Sequence, residues 1–130
     1  MTVLGSDTYR YEEASHWAQL PNGRDLGEVV DIGVDGQDRV YIGQLPPQLP
    51  FNADYPNLGA CVSIHDLAGK RLARLGASRF GEAPGQFIAP HGLAVDSRGS
   101  IYVGEVSWTT YGCLLDPPRK VKSFRKLLKI

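Results

Sequence analysis

The sequence contains no run of apolar residues approaching the ~20 that a membrane-spanning helix needs. Residues 1–10 have no basic region followed by an apolar stretch, so we expect no signal peptide and no membrane partner. Only two cysteines occur, Cys61 and Cys113. In a chain without a secretion signal, they are expected to be reduced thiols that pack in the interior, in a cytoplasmic protein.

Net charge is also absent, because 14 Lys and Arg residues balance 14 Asp and Glu residues. This balance gives no general attraction to nucleic acid, and it leaves little repulsion between copies, which is compatible with self-assembly. The 130 residues suit one domain. The 15 glycines and nine prolines favour a turn-rich all-β chain over a helical bundle.

The chain repeats itself, because residues 30–44 align without a gap with residues 91–105. The identical positions are Val34, Asp35, Tyr41 and Gly43 in the first copy and Val95, Asp96, Tyr102 and Gly104 in the second. In each copy, apolar residues alternate with small or polar ones on both sides of an Asp- and Gly-containing turn. This pattern predicts a strand, a tight turn and a second strand.

A third hairpin is predicted midway between the two copies, with residues 61–66 and 70–75 flanking a turn at Leu67–Gly69. A further strand is predicted over Thr8–Leu20, in the place that residues 71–75 take before the second copy. The Pro-rich segment Leu45–Asn57 cannot be a central strand and is expected to be a long loop. These seven strands, together with a C-terminal segment in the place of the eighth, form two units of four strands.

Residues 85–105 resemble an NHL repeat, and the chain is similar to bacterial six-bladed propellers of the peptidyl-α-hydroxyglycine α-amidating lyase type. The resemblance implies a β-propeller fragment of about two four-stranded blades, with the family's central blades absent. The expected organisation is a single NHL-like segment: residues 1–26 as the outer strand of a shared blade, 27–80 as a complete blade and 81–130 as a partial blade.

Two blades expose two broad apolar faces, and repeat arrays need about three or more units for stability. A head-to-tail contact between copies must close into a ring or continue as a fibre. We therefore predict a homo-oligomer, with three chains and six blades favoured over rings of two or four chains. Irregular packing of a shortened chain is the alternative.

His91 is the candidate metal ligand. It follows Pro90 and resembles the Pro-His position that supplies zinc ligands in the lyase family, whereas the first copy has Val30 there. Catalytic zinc usually has three protein ligands. In a trimer, three copies of His91 would surround one axis and could hold zinc. The alternative is a metal-free axial histidine.

Glu105 and Trp108 complete the candidate ligand-binding set with His91, since they lie at or after the end of a strand, where loops carry function. Glu105 is also a candidate general base, the alternative being simple turn chemistry. Asp35 and Asp96 are interpreted as turn residues rather than calcium ligands. The other two histidines, His16 and His65, are predicted at the surface or at a sheet edge.

The basic tail, residues 119–130, permits an amphipathic helix, but a short strand that completes the second blade is favoured.

Two functions remain open. One is an oligomeric scaffold that binds a ligand or a protein and has no catalytic set. The other is a metal-dependent lyase or hydrolase with zinc held by His91 from three chains. The sequence itself requires no cofactor.

Overall fold

The structure is a computed structural model, and it describes residues 3–12, 29–46, 49–50, 59–77 and 79–130. Apart from one helical turn, α1 (Ser107–Thr110), and a 3₁₀ turn at Gly112–Leu114, its regular elements are strands. The strands are β1 Val3–Ser6, β2 Tyr9–Glu12, β3 Val29–Val34, β4 Val40–Gln44, β5 Cys61–His65, β6 Arg71–Leu75, β7 Pro90–Val95, β8 Ile101–Glu105 and β9 Phe124–Leu127. The all-β prediction is confirmed.

The strands form three antiparallel sheets, and none of the three is closed. Sheet 1 has the order β3-β4-β5-β6, sheet 2 has the order β7-β8-β9, and β1 pairs with β2 in a separate hairpin. Within each sheet, strands that are consecutive in the chain lie side by side and pair antiparallel. Within the described ranges, no helix is long and apolar enough to cross a membrane.

The sequence repeat is reproduced in the strand register. Tyr41 pairs with Gly33 in sheet 1, and at the equivalent positions of sheet 2 Tyr102 pairs with Ala94. Both sheets also carry an irregularity at the start of the first strand, between Val29 and Asp31 in β3 and between Pro90 and Gly92 in β7. The predicted hairpins at residues 30–44, 61–75 and 91–105 are therefore confirmed.

One turn design serves all three hairpins. In the first, the Asp35 amide donates to the Arg39 carbonyl at 3.1 Å, and the Asp38 amide donates to the Asp35 carbonyl at 3.1 Å. The turns that begin at Asp66 and Asp96 repeat both bonds. The fourth residue of each turn has positive φ, 61° at Asp38 and 84° at both glycines, Gly69 and Gly99. Glycine suits this position because it has no Cβ to clash in the left-handed region.

The Asp35 carboxylate binds the turn together. Its Oδ1 accepts hydrogen bonds from the amides of Gln37 and Arg39, at 2.8 and 3.0 Å, and its Oδ2 accepts from the Tyr41 hydroxyl at 2.9 Å. The Arg39 guanidinium donates from Nε to Oδ2 of Asp35 at 2.6 Å. Burial favours the protonated form, but these hydrogen bonds outweigh it and lower the pKa of Asp35 to about 2. The contacts support the structural interpretation of this aspartate.

Sheets 1 and 2 pack face to face. Gly33 and Gly43 allow the close approach, since a Cβ added at Gly33 would lie 2.8 Å from Cδ2 of Leu93, and one at Gly43 would lie 3.8 Å from Pro90. One inter-sheet hydrogen bond runs from the Leu93 amide to Oδ2 of Asp31, at 2.6 Å. The buried core between the sheets consists of Tyr41, Ala60, Val62, Phe87, Ile101 and Val103.

Two predictions need correction. The N-terminal segment forms a hairpin, β1–β2, where one strand over Thr8–Leu20 was predicted; residues 13–20, with His16, lie outside the described residues. His65 is fully buried rather than at the surface or an edge. It lies in β5, between β4 and β6, and its ring nitrogens contact the Gly69 carbonyl at 3.1 Å and the Ser63 hydroxyl at 3.0 Å.

The basic tail forms β9, which pairs with β8, so the strand interpretation of this segment is confirmed over the amphipathic helix. Most of the Pro-rich segment Leu45–Asn57 lies outside the described residues.

Neither Cys61 nor Cys113 is in a disulfide. Burial raises the pKa of the Cys61 thiol, which agrees with a packing role.

Candidate binding site

The predicted site residues lie at one end of the β7–β8 pair, where β7 begins and β8 ends. Pro90 pairs with Glu105 there, His91 follows on β7, and α1 begins with Ser107 and Trp108 directly after β8. We call this region the β7–β8 end. Two of its three predicted site residues are open to solvent, because His91 is exposed and Trp108 is 50% exposed.

His91 occupies a β-bulge, because the register shifts between Pro90 and Gly92. A bulge bends the strand and redirects the side chain of the extra residue, and bulges are common beside functional sites. The imidazole has no hydrogen-bond partner among the described residues. Across the described ranges, no three His, Cys, Asp or Glu side chains are grouped to hold a metal ion. Among the described residues, His91 is the one histidine at this end, since His65 is buried in β5.

Glu105 has a different environment, since its side chain is fully buried. Its Oε2 accepts hydrogen bonds from the amides of Ile88 and Ala89, at 2.6 and 3.0 Å, and its Oε1 pairs with the Arg125 guanidinium. The carboxylate thus connects the segment before β7, the end of β8 and the middle of β9. This geometry suits an anchor that fixes the β7–β8 end, and the general-base interpretation of Glu105 stays a prediction.

The same end contains a buried hydroxyl without a partner. Ser107 is 1% exposed, and its Oγ has no hydrogen-bond partner in the described structure. Two hydrogen bonds hold the backbone around Ser107. The Val106 amide donates to the Ala89 carbonyl at 3.1 Å, and the Tyr111 amide donates to the Ser107 carbonyl at 3.1 Å. The half-exposed indole of Trp108 is therefore presented on a short, fixed turn.

A cavity of about 510 Å³ lies between β5 and β6 of sheet 1 and β9 of sheet 2. Sheet 1 contributes Ile64, Arg74 and Leu75 to its walls, and β9 contributes Arg125 and Leu127. Sequence inspection missed this cavity and the partner of Glu105. Arg125 is one of six basic residues in the tail, and nothing in its local sequence separates it from the others. Only the pairing of β9 with β8 places it beside Glu105.

In comparisons with known proteins, no family model and no curated protein matches this chain. The resemblance to NHL repeats therefore depends on the sequence pattern of residues 85–105.

Proposed function

We propose that this chain is a propeller-type subunit that assembles head to tail with copies of itself, and that the assembly is a non-catalytic scaffold for a ligand or a protein. One observation carries the proposal. The contact between sheets 1 and 2 joins two surfaces, and each surface has a repeat-related counterpart elsewhere on the chain that is partly or largely exposed.

The first surface is the β7 face that packs on sheet 1, where Leu93 and Val95 approach Gly33. Their counterparts in the first copy of the repeat are Ile32 and Val34, which are 56% and 55% exposed. Exposed apolar side chains adjacent on one strand indicate a surface that a partner covers. We call Ile32 and Val34 the β3 face.

The second surface receives β7 and includes Gly33, Tyr41 and Gly43. Its counterparts are Ala94, Tyr102 and Gly104 of sheet 2, which we call the receiving face. Ala94 is exposed, and Tyr102 and Gly104 are half-buried. A second copy that placed its β3 face on this surface would repeat the contact already made inside the chain.

The repeated contact would differ at three positions. Ala94 replaces Gly33, which adds a methyl group where the internal contact is tightest, and the β-branched Ile32 replaces Leu93 opposite it. Gly92 replaces Asp31, so the 2.6 Å hydrogen bond from the Leu93 amide would have no counterpart. Association between copies would therefore be weaker than the internal contact.

The first experiment is light scattering after size exclusion. Three chains of 14.2 kDa, about 43 kDa, would support a ring of six blades, which agrees with the NHL resemblance. Two or four chains would keep the head-to-tail assembly and change the blade count. If the protein remains a folded monomer at the chain concentrations found in the cell, the proposal is refuted.

A matched pair of variants tests the surface itself. Ile32→Asp places a charge on the β3 face and should give monomers, since a charge buried in an apolar contact is unfavourable. Leu114→Asp is the control, because Leu114 is 76% exposed and lies on neither proposed face. Equal mass for both variants and the parent protein would show that the β3 face is not the contact.

A second function, zinc-dependent lyase or hydrolase activity, is favoured by the exposed His91 at its bulge. Three copies around a ring axis would supply the three ligands that catalytic zinc typically has, and the bound zinc would activate water or polarise a substrate oxygen. Zinc content of the purified assembly, compared with that of His91→Ala, tests this function. Equal zinc content in the two proteins, or none in either, would exclude a His91 site.

A cytoplasmic location is part of the proposal. It agrees with two cysteines that are not joined in a disulfide, as is usual in a reducing compartment.

A further inference from the structure

We propose that the free edge of β9 binds the N-terminal hairpin, β1–β2, of a second copy, so that neighbouring chains exchange a strand. This inference rests on the self-assembly proposed above and names the segment that joins the copies. Sheet 1 has four strands, but sheet 2 has only three among the described residues, and β9 is its outer strand. Within that part of the chain, sheet 2 therefore has no strand in the position that β6 fills in sheet 1.

The backbone of β9 presents hydrogen-bonding groups at that position. The Glu105 amide donates to the Ser123 carbonyl at 2.8 Å, so Ser123 and then Arg125 point their backbone groups toward β8. Because antiparallel pairing alternates along a strand, the backbone N–H and C=O groups of Phe124 and Lys126 point away from β8, toward the free edge. Such an edge is a template for an added strand.

The cavity of about 510 Å³ lies where the side chains of an added strand would pack. It is bounded by β5 and β6 of sheet 1 and by Leu127 of β9, with an apolar floor that includes Phe87 and Ile101. A fourth strand beside β9 would place every second side chain into this space. The cavity and the free edge are thus two parts of one docking site.

The order of elements identifies the missing strand. In sheet 1, β6 pairs with the third strand of its sheet, and residues 76–89 then lead to β7, the first strand of the next sheet. A segment of similar length, residues 13–28, leads from the end of β2 to β3, the first strand of sheet 1. β2 is therefore the counterpart of β6 in its place before the first strand of a sheet. Its edge toward β1 is occupied, so its other edge is the one that would pair with the third strand of a preceding sheet. In a head-to-tail assembly, that third strand is β9 of the neighbouring chain.

The hairpin itself needs such a partner. Two-stranded hairpins are marginally stable in water unless further strands or a packed face support them. Its large apolar side chains are open to solvent, with Tyr9 70%, Tyr11 63% and Leu4 58% exposed. Tyr9 and Tyr11 share one face of β2, because alternate residues of a strand point the same way, and they are available to fill the cavity.

Charge also favours this pairing. Residues 119–130 contain six basic residues and no acidic one. Residues 1–13 contain three carboxylates, Asp7, Glu12 and Glu13, against the single cation Arg10. The like charges of two tails would repel each other, whereas tail and hairpin attract, so the complementarity selects the hairpin as the occupant.

Two substitutions at one position test the backbone contact. Lys126→Pro removes an N–H that points to the free edge, which an edge strand tolerates within its own chain. Lys126→Ala removes the same side chain, including its contact at 5.0 Å with the Tyr102 ring, and keeps the N–H. We expect Lys126→Ala to retain the assembled mass. The dissociation constant of Lys126→Pro should rise about 100-fold relative to Lys126→Ala, as blocking one ladder position predicts.

The outcomes separate this inference from the proposed function. A parent protein that is monomeric refutes self-assembly itself. An assembled parent with Lys126→Pro equally assembled refutes only the strand exchange.

Cross-linking tests which chain supplies the strand. In a Cys113→Ser background, the double variant Arg10→Cys with Lys126→Cys is treated with a short bis-maleimide, because Arg10 and Lys126 both alternate with the residues assigned to the cavity and would share the opposite face. A product of two or more chains on a denaturing gel supports exchange. A cross-linked product with the mass of one chain would show the hairpin folded onto its own β9 and would overturn the proposal. The two variants that each carry one of the added cysteines serve as controls for random cross-linking, and the buried Cys61 is present in all of these proteins.

Discussion

Replacing Glu105 by alanine should be among the most destabilising substitutions in this chain. The carboxylate is fully buried and holds three groups that come from different parts of the sequence: the amides of Ile88 and Ala89 and the guanidinium of Arg125. Both residues with these amides are themselves 0% exposed, so water cannot replace the lost acceptor. The Arg125 side chain is 15% exposed and would keep its charge without a partner.

The expected magnitude follows from these contacts. Removing one partner of a buried ion pair typically destabilises a protein by about 3–5 kcal/mol. A buried amide left without an acceptor costs about 1–3 kcal/mol. The two losses arise at one site, and the surrounding structure relaxes around both at once, so their free energies do not add. We therefore expect Glu105→Ala to lower the free energy of unfolding by about 4 kcal/mol. Glu105→Gln keeps an acceptor for the amides and loses the charge, so about 2 kcal/mol is expected.

The assay is urea unfolding followed by circular dichroism, at one fixed chain concentration because association shifts apparent stability. Glu82→Ala is the matched control, since Glu82 also pairs with an arginine, Arg119, at 2.5 Å. The Arg119 and Glu82 side chains are 55% and 33% exposed, so solvent screens this pair and it should contribute much less to stability than the buried Glu105–Arg125 pair. If Glu105→Ala and Glu82→Ala have equal, small effects, the anchor interpretation of Glu105 is wrong.

The same variants bear on the catalytic alternative. A general base acts on a proton of the substrate that lies within its hydrogen-bond reach, whereas an anchor acts through the stability of the fold. A large stability loss in Glu105→Gln would therefore favour the anchor. A double-mutant cycle with Arg125→Met would measure the coupling between the two side chains, for which about 1–3 kcal/mol is expected.

Three further predictions concern the turns and the inter-sheet contact. Asp38→Gly should raise the free energy of unfolding by about 0.5–1 kcal/mol and Gly69→Ala should lower it by about 1 kcal/mol in urea unfolding, because both positions have positive φ; an opposite order would contradict the common turn design. Asp35 should stabilise the fold above its unfolded pKa near 4 and lose this contribution as the pH falls toward 2, so Asp35→Asn should flatten the dependence of stability on pH between 5 and 2, and an unchanged slope would exclude the network. Gly33→Ala should cost about 1–3 kcal/mol by crowding a β7 side chain, whereas Gly36→Ala, where an added Cβ meets nothing within 4 Å, should stay within about 0.5 kcal/mol; equal melting temperatures would show that the sheets do not pack closely there.

The strands of both sheets were predictable because their signals are local. Alternation around residues 32–34 and 93–95, with Asp and Gly between paired runs, specifies hairpins without any distant contact. The sequence repeat predicted that the two copies have equivalent structures. The structure agrees even at the β-bulges, one of which lies before Asp31 and the equivalent one at His91. The β9 strand was predicted for a related reason, since a repeat with two strands needs a third to cover its edge.

The sequence by itself thus determined the all-β class, the three hairpins and the turn role of Asp35. Only the tertiary structure decided the environments of the charged and titratable side chains. Glu105 became a buried anchor because β9 brings Arg125 beside it from a separate part of the chain, and His65 became buried because β5 lies between two strands. The physical reason is that strand periodicity fixes which face a side chain takes, whereas burial and ion pairing depend on which segment covers that face.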